Sequence, residues 1–354
     1  MAFDDDFTLL TGNPPFPWQR ALYDRFVASD FPKACDLPTG LGKTSVIALW
    51  LLALTKNPKL PRRLAYVVNR RTVVDQSTAE AERLRNQLLE PEARHLHDAL
   101  NALAAVAAKH PLAISTLRGE FADNGAWRRD PSRPSIIVGT VDMIGSRLLF
   151  SGYGCGFRSR PLHAGFLGQD ALLVHDEAHL EPAFQSLLTA IADEQHRSHE
   201  LRPLKVLALS ATGRTEADFT LGDADLHNAV VKKRLNASKG LQLHPMDDRR
   251  ELPERIAAKA AQLDGKVVVF LSSVDHVLAS PSCWTSSSSS PRCRRRSSSS
   301  SCRQPPSLSA NAASARRCPG RSTGRSSGGG ERQGDLTQSF GLPRPCHRMA
   351  PLGV

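Results

Sequence analysis

Short apolar runs alternate with longer amphipathic stretches along the first 280 residues, and this alternation sets the expected fold. Arg63–Val68, Leu112–Leu117, Ser135–Gly139, Ala171–His175 and Leu204–Leu209 are each brief, strongly apolar and bounded by turn residues. That pattern suits strands covered on both faces. A further short strand is expected over Lys33–Asp36. Between the strands, helical spacing of apolar positions predicts helices over 17–28, 72–89 and 95–108. The continuous apolar run Val46–Leu54 reads as a helix buried all round. Strands alternating with helices predict an α/β fold: a parallel sheet with right-handed crossovers, flanked by helices. Ligands in such folds bind at the carboxyl edge of the sheet.

The pattern starts again after residue 227. A helix over Arg250–Leu263 leads into Lys266–Leu271, a central-strand pattern that reads as the first strand of a second domain. From about Ala279 the periodicity stops. Ser286–Ser290, Arg294–Arg296 and Ser297–Ser301 are followed by Pro-, Gly- and Arg-rich sequence, which cannot bury enough apolar surface to offset chain entropy. The expected organisation is therefore 1–227, one domain; 228–280, the incomplete start of a second; and 281–354, a disordered tail. Two origins for the tail are a natural Ser/Arg-rich segment that binds nucleic acid and out-of-frame translation of GC-rich DNA. The switch interrupts a helix just beginning after a core strand, which favours the frameshift.

Composition changes this picture in one respect. The chain of 354 residues carries a net charge of +11, which by itself suggests a nucleic-acid binder. Residues 281–354 hold twelve Arg, no Lys and only two acids, Glu331 and Asp335, so they account for +10 of it. The first 280 residues are close to neutral, and any nucleic-acid contact there must come from local clusters such as Arg70-Arg71 or Arg128-Arg129. Five of the seven Cys fall after residue 280, leaving Cys35 and Cys155 in the body. Neither a disulfide framework nor a zinc site is expected. The acidic start, Asp4-Asp5-Asp6, lacks the positive charge of a signal peptide. Val46–Leu54 is far shorter than the ~20 residues a membrane helix needs. A cytoplasmic protein without a membrane partner is the expectation.

The candidate chemistry lies in two motifs. Leu37-Pro38-Thr39-Gly40-Leu41-Gly42-Lys43-Thr44 follows a predicted strand and precedes a predicted helix, as a phosphate-cradling loop does. Gly40 and Gly42 lack a Cβ, so backbone N–H groups can close on phosphate oxygens. Lys43 would neutralise the β- and γ-phosphates of ATP, and the Thr44 hydroxyl would bind Mg²⁺. After another strand comes Asp176-Glu177-Ala178-His179. Asp176 would hold the same Mg²⁺ and Glu177 would polarise the attacking water, with Lys43 and His179 completing the candidate catalytic set. The strict loop pattern has Gly where this chain has Leu37. His175-Asp176 and His97-Asp98, with His95 nearby, lack the other ligands of a His-Asp metal centre.

The Pro-Thr-Gly-x-Gly-Lys-Thr form of the loop resembles that of superfamily 2 helicases, and other segments fit that family in order. The resemblance implies a RecA-like first motor domain. It assigns adenine reading to Gln19 in Phe16-Pro17-Trp18-Gln19-Arg20, with Thr39 in the nucleotide loop. It assigns nucleic-acid contact to Arg70 and Arg71, and to Thr140 in Gly139-Thr140-Val141-Asp142. Ser210 and Thr212 in Ser210-Ala211-Thr212 would couple the ATP site to nucleic acid. Longer strings, Tyr66–Gln76, Gly139–Phe150 and His175–Leu180, resemble the CRISPR-associated helicase of type I interference, nearest to subtype I-U (I-G). That resemblance covers about residues 10–280. It implies recruitment to a guide-RNA surveillance complex and ATP-driven reeling of single-stranded DNA. The Gln-x-x-Gly-Arg-x-x-Arg string, which carries the arginine finger in this family, does not occur in the sequence, so an inactive form is expected. Rival readings are another DEAH-type helicase or restriction-system DNA translocase, and an ATP-binding remnant without turnover.

Overall fold

A computed structural model describes residues 2–117, 125–211, 217–237, 240–245, 251–263, 267 and 269. Its strands are β1 (Ala34–Asp36), β2 (Arg63–Val68), β3 (Ala113–Leu117), β4 (Ser135–Thr140), β5 (Ala171–His175), β6 (Lys205–Ser210) and β7 (Phe219–Thr220). The helices before β3 are α1 (Phe3–Thr11), α2 (Pro17–Val27), α3 (Val46–Lys56), α4 (Arg71–Gln87) and α5 (Arg94–Asn101). Those that follow are α6 (Ala126–Arg129), α7 (Val141–Leu148), α8 (Arg160–Gly168), α9 (Pro182–Arg197), α10 (Asp223–His227), α11 (Ala229–Leu235) and α12 (Leu252–Ala261).

The seven strands form one sheet in the order β3-β4-β2-β5-β6-β1-β7, and every named pairing is parallel. This is the expected RecA-like α/β arrangement. β2 is an interior strand between β4 and β5, with all six residues buried. Alternation along this strand sorts side chains onto two faces. Leu64, Tyr66 and Val68 join a core that includes side chains of α1 to α5. Ala65 and Val67 join a second core with residues of α7, α8 and α9. α3 has no polar face because it is covered on every side, and its Trp50 indole N–H donates to the Pro61 carbonyl at 2.9 Å.

Local chemistry sets the ends of the elements that matter here. α2 opens with Pro17 at its first position, where no N–H is needed, and the Gln19 side chain accepts the Phe16 N–H at 2.7 Å. α7 is capped by Thr140, whose hydroxyl oxygen accepts the Met143 N–H. Asp4, Asp5 and Asp6 occupy the first turn of α1, where negative charge suits the helix dipole. Asp6 is buried and holds His95 Nε2 at 2.7 Å.

The helix expected over 95–108 stops at Asn101. Beyond it, Ser132 Oγ accepts the Ala105 N–H and Asn101 Oδ1 accepts the Ala108 N–H. These side-chain acceptors replace the helical ladder, and Val106 is exposed, so the segment has little apolar face to bury. α1, the helices α6 to α11 and the edge strand β7 fall outside the expected elements. No described helix is long and apolar enough to cross a membrane. Thr212, most of the strand expected over 266–271 and the whole of 281–354 lie outside the described residues.

Candidate nucleotide site

Both candidate motifs emerge from carboxyl ends of the sheet. β1 feeds the phosphate loop, which passes through a short 3-10 turn, Lys43–Ser45, into α3. β5 feeds the acidic turn. β1 and β5 are not neighbours, since β6 lies between them, and its last residue, Ser210, accepts the Leu37 N–H at 2.9 Å. The strand order thus places the phosphate loop, Ser210 and the acidic turn side by side along one edge.

Two glycines of the loop adopt left-handed backbone, Gly40 at φ 86° and Gly42 at φ 79°. A side chain at either position would be strained. Thr39 and Gly40 are exposed at the loop's crest, whereas Lys43 is only 9% exposed. Its ammonium reaches Glu177 Oε1 at 2.6 Å. Glu177 itself takes φ 53°, a left-handed conformation uncommon for a residue with a Cβ. The acidic motif therefore turns sharply out of β5 and presents its carboxylate to the loop.

Asp176 is the more enclosed of the two acids. Its Oδ2 accepts the Tyr66 hydroxyl at 2.8 Å, while Oδ1 is buried with no hydrogen-bond partner. Burial raises its pKa from the ordinary carboxylate value, opposed by the Tyr66 hydrogen bond and the charge of Lys43. A buried carboxylate oxygen without a donor is an incomplete arrangement. A hard divalent cation such as Mg²⁺, which takes oxygen ligands, fits it. Asp176 and Thr44 are the residues that would hold the ion, which when bound would neutralise charge on the phosphates. His179 Nδ1 lies 3.5 Å from Glu177 Oε2 and 3.4 Å from Ser210 Oγ, bridging the acidic motif and the end of β6.

The other expected residues fall in less uniform settings. Gln19 is buried, and its amide is already engaged: Oε1 accepts the Phe16 N–H and Nε2 donates to Ser45 Oγ at 2.7 Å. It acts as a strut between α2 and the phosphate-loop turn, with one N–H and one lone pair left for a base. Trp18 is a core side chain. Arg70 and Arg71, at the start of α4, are exposed. Thr140 is buried, and its hydroxyl oxygen accepts the Met143 N–H at the start of α7 at 3.4 Å.

Two contributors went unread in the sequence. Tyr66 looked like one more apolar strand residue, although its position two before Val68, on the face shared with α3, was available from alternation. Arg234 lies beyond the boundary expected at 227, yet its Nη1 donates to the Gly40 carbonyl at 2.6 Å and its guanidinium sits 5.3 Å from the Phe16 ring centroid. No sequence signal marks it.

No curated protein matches the chain. Among solved structures, it resembles the DEAD-box helicase Mss116 bound to ssRNA and UDP-BeF at 16% identity, with a TM-score of 0.40 over 58% of this chain and 38% of that one. It resembles a DEAD box protein from the hyperthermophile Methanococcus jannaschii at 16% identity, TM-score 0.34, over 60% of this chain and 48% of that one. The DUF1998 helicase MrfA is 14% identical, TM-score 0.49, over 81% of this chain and 41% of that one. The chain thus spans between 38% and 48% of these proteins' lengths. Residues 15–214 match the family described as type III restriction enzyme, res subunit. That span runs from just before Phe16 to just past Ser210 and contains the phosphate loop, the acidic turn and their supporting strands. The chain belongs to this helicase-type family.

Proposed function

We propose that the chain binds ATP with Mg²⁺ and is the nucleotide-binding part of a DNA motor. The observation that carries this reading is the meeting of Lys43 and Glu177 at 2.6 Å, with Asp176 beside them. A phosphate loop and an acidic turn from non-adjacent strands converge on one point, as phosphoryl-transfer chemistry requires. Lys43 and Thr44 would take the phosphates and the ion, Asp176 would complete the ion's ligands, and Glu177 would orient water. Titration calorimetry of Mg-ADP against the purified chain and against Lys43→Ala tests it. Binding by the native chain that vanishes in the variant is expected; equal binding by both would refute the assignment.

The finer reading is a CRISPR type I interference helicase that reels single-stranded DNA for degradation. It is supported by the strings Tyr66–Gln76, Gly139–Phe150 and His175–Leu180, which continue from β2, β4 and β5. A restriction-system DNA translocase is the second reading, favoured by the family description. Retention of the chain by a DNA-bound guide-RNA surveillance complex, against translocation on free duplex DNA, separates the two. In either case the sequence lacks a recognisable Gln-x-x-Gly-Arg-x-x-Arg string. Removing an arginine finger costs about 10³–10⁵-fold in rate where such fingers operate. The 354 residues on their own are therefore proposed to bind nucleotide without appreciable DNA-stimulated turnover.

A further inference from the structure

We propose that Tyr66 is a positioning residue for the metal ligand Asp176, an inference that rests on the nucleotide-site reading above. Tyr66 lies on β2 with its side chain fully buried. Packing there asks only for a ring, and Phe would meet that demand without a polar atom to satisfy. A buried hydroxyl is costly unless it is paired. The partner it has is Asp176 Oδ2, at 2.8 Å.

The placement follows from the sheet. β2 and β5 are parallel neighbours with Tyr66 opposite Val174 and Val67 opposite His175. The Asp176 N–H continues the ladder by donating to the Val67 carbonyl at 2.9 Å. Asp176 therefore leaves β5 held at its backbone by β2 and at its carboxylate by the residue one earlier on β2. Tyr66 faces the α3 side of the sheet, and its hydroxyl meets the carboxylate there. By occupying Oδ2 it fixes the carboxylate's rotation and leaves Oδ1, which has no other partner, as the oxygen available to the ion. Outer-shell partners of this kind commonly contribute about 10–100-fold to metal affinity.

The test uses the full chain and a fluorescent N-methylanthraniloyl-ADP, titrated with and without Mg²⁺. Tyr66→Phe is expected to leave metal-free binding within about twofold of the native chain and to raise the Mg²⁺ midpoint about tenfold or more. Asp176→Asn should raise the midpoint further, and adding Tyr66→Phe to it should change nothing more, because Tyr66 acts through that carboxylate. An unchanged midpoint in Tyr66→Phe, or additive effects in the double variant, overturns the proposal. If the native chain binds no nucleotide at all, the nucleotide-site reading fails first, and the two failures are told apart. A second measurement needs no variant. The chain has three tyrosines, Tyr23, Tyr66 and Tyr153, and paramagnetic Mn²⁺ should broaden the Tyr66 ring resonances ahead of the other two. Equal broadening of all three, or none, would count against a metal site at Asp176.

Discussion

Lys43 and Glu177 lie 134 residues apart in sequence and form a 2.6 Å ion pair in the structure. Both are held by enforced geometry: Lys43 by the turn between Gly42 and α3, Glu177 by a left-handed backbone at the end of β5. An enclosed ammonium is stabilised by an anion beside it. Glu177 is that anion here, and a nucleotide's phosphates would be its replacement. The pair is thus a competitor of the ligand, and it must open for Lys43 to reach phosphate.

Glu177→Gln tests that competition. Removing the carboxylate frees Lys43 while keeping the side chain's shape. A partly exposed ion pair contributes up to about 1 kcal/mol, so nucleotide affinity is expected to rise by up to about fivefold. Fluorescent-nucleotide titration measures it. Weaker binding than the native chain would mean that Glu177 helps to hold the ligand instead of excluding it.

Asp176 makes a prediction about stability and pH. Its pKa is raised by burial, so the unfolded chain ionises it more readily than the folded one. At pH below both values the group is neutral in either state and has no effect. As pH rises through the unfolded and then the folded value, the folded state comes to carry a poorly solvated charge, and stability falls relative to acid. Asp176→Asn should therefore raise Tm near neutral pH in the absence of divalent ions, by about 2–4 °C if the gain is roughly 1 kcal/mol. The gain should shrink towards acid pH. Differential scanning calorimetry at several pH values decides it, and a variant that melts lower at neutral pH contradicts the account.

Much of the site was readable because its chemistry is written locally. A phosphate loop needs glycines, a lysine and a hydroxyl within a few residues, and β2 and β5 have the bounds expected from their apolar runs alone. What escaped the sequence was long-range. Tyr66 meets Asp176 because β2 and β5 are neighbours, and Arg234 reaches Gly40 from a distant helix; no local pattern names either partner. The over-long helix expected after His95 failed for a related reason: Ser132, from another segment, took a backbone donor that helical periodicity assigns to the helix.

Asp225 offers a test of how α2 is anchored. It is buried, its Oδ1 accepts the Trp18 N–H at 2.8 Å and its Oδ2 accepts the Gly222 N–H at 3.1 Å. Trp18 N–H is one of the free donors of the first turn of α2, so this carboxylate caps α2 from a distant segment. Hydrogen bonds to a charged group contribute about 1.5–3 kcal/mol, and an orphaned buried donor adds to the loss. Asp225→Ala is expected to lower stability by about 2–4 kcal/mol in urea unfolding. Since α2 carries Gln19, nucleotide affinity should fall with it. Asp225→Ala with unchanged stability would show that the α2 cap is dispensable.

Arg234 gives the prediction that bears most directly on the nucleotide loop. Its guanidinium donates to the Gly40 carbonyl and lies over Phe16, tying the crest of the loop to the start of α2. Arg234 is exposed, so the contact adds little to global stability and Arg234→Ala should shift Tm by no more than about 2 °C. Its effect on binding is expected to be larger, for two reasons. Fixing one carbonyl of a glycine-rich loop lowers the entropy lost when the loop closes on phosphate. A guanidinium so near the loop also adds positive potential where an anion must arrive, an effect that salt screens. Mg-ADP binding should therefore weaken about three- to tenfold in Arg234→Ala at low salt, with a smaller difference at high salt, and Arg234→Lys should recover the charge-dependent part only. Tighter binding in Arg234→Ala would reverse the assignment and make Arg234 an obstacle at the loop, one that nucleotide must displace.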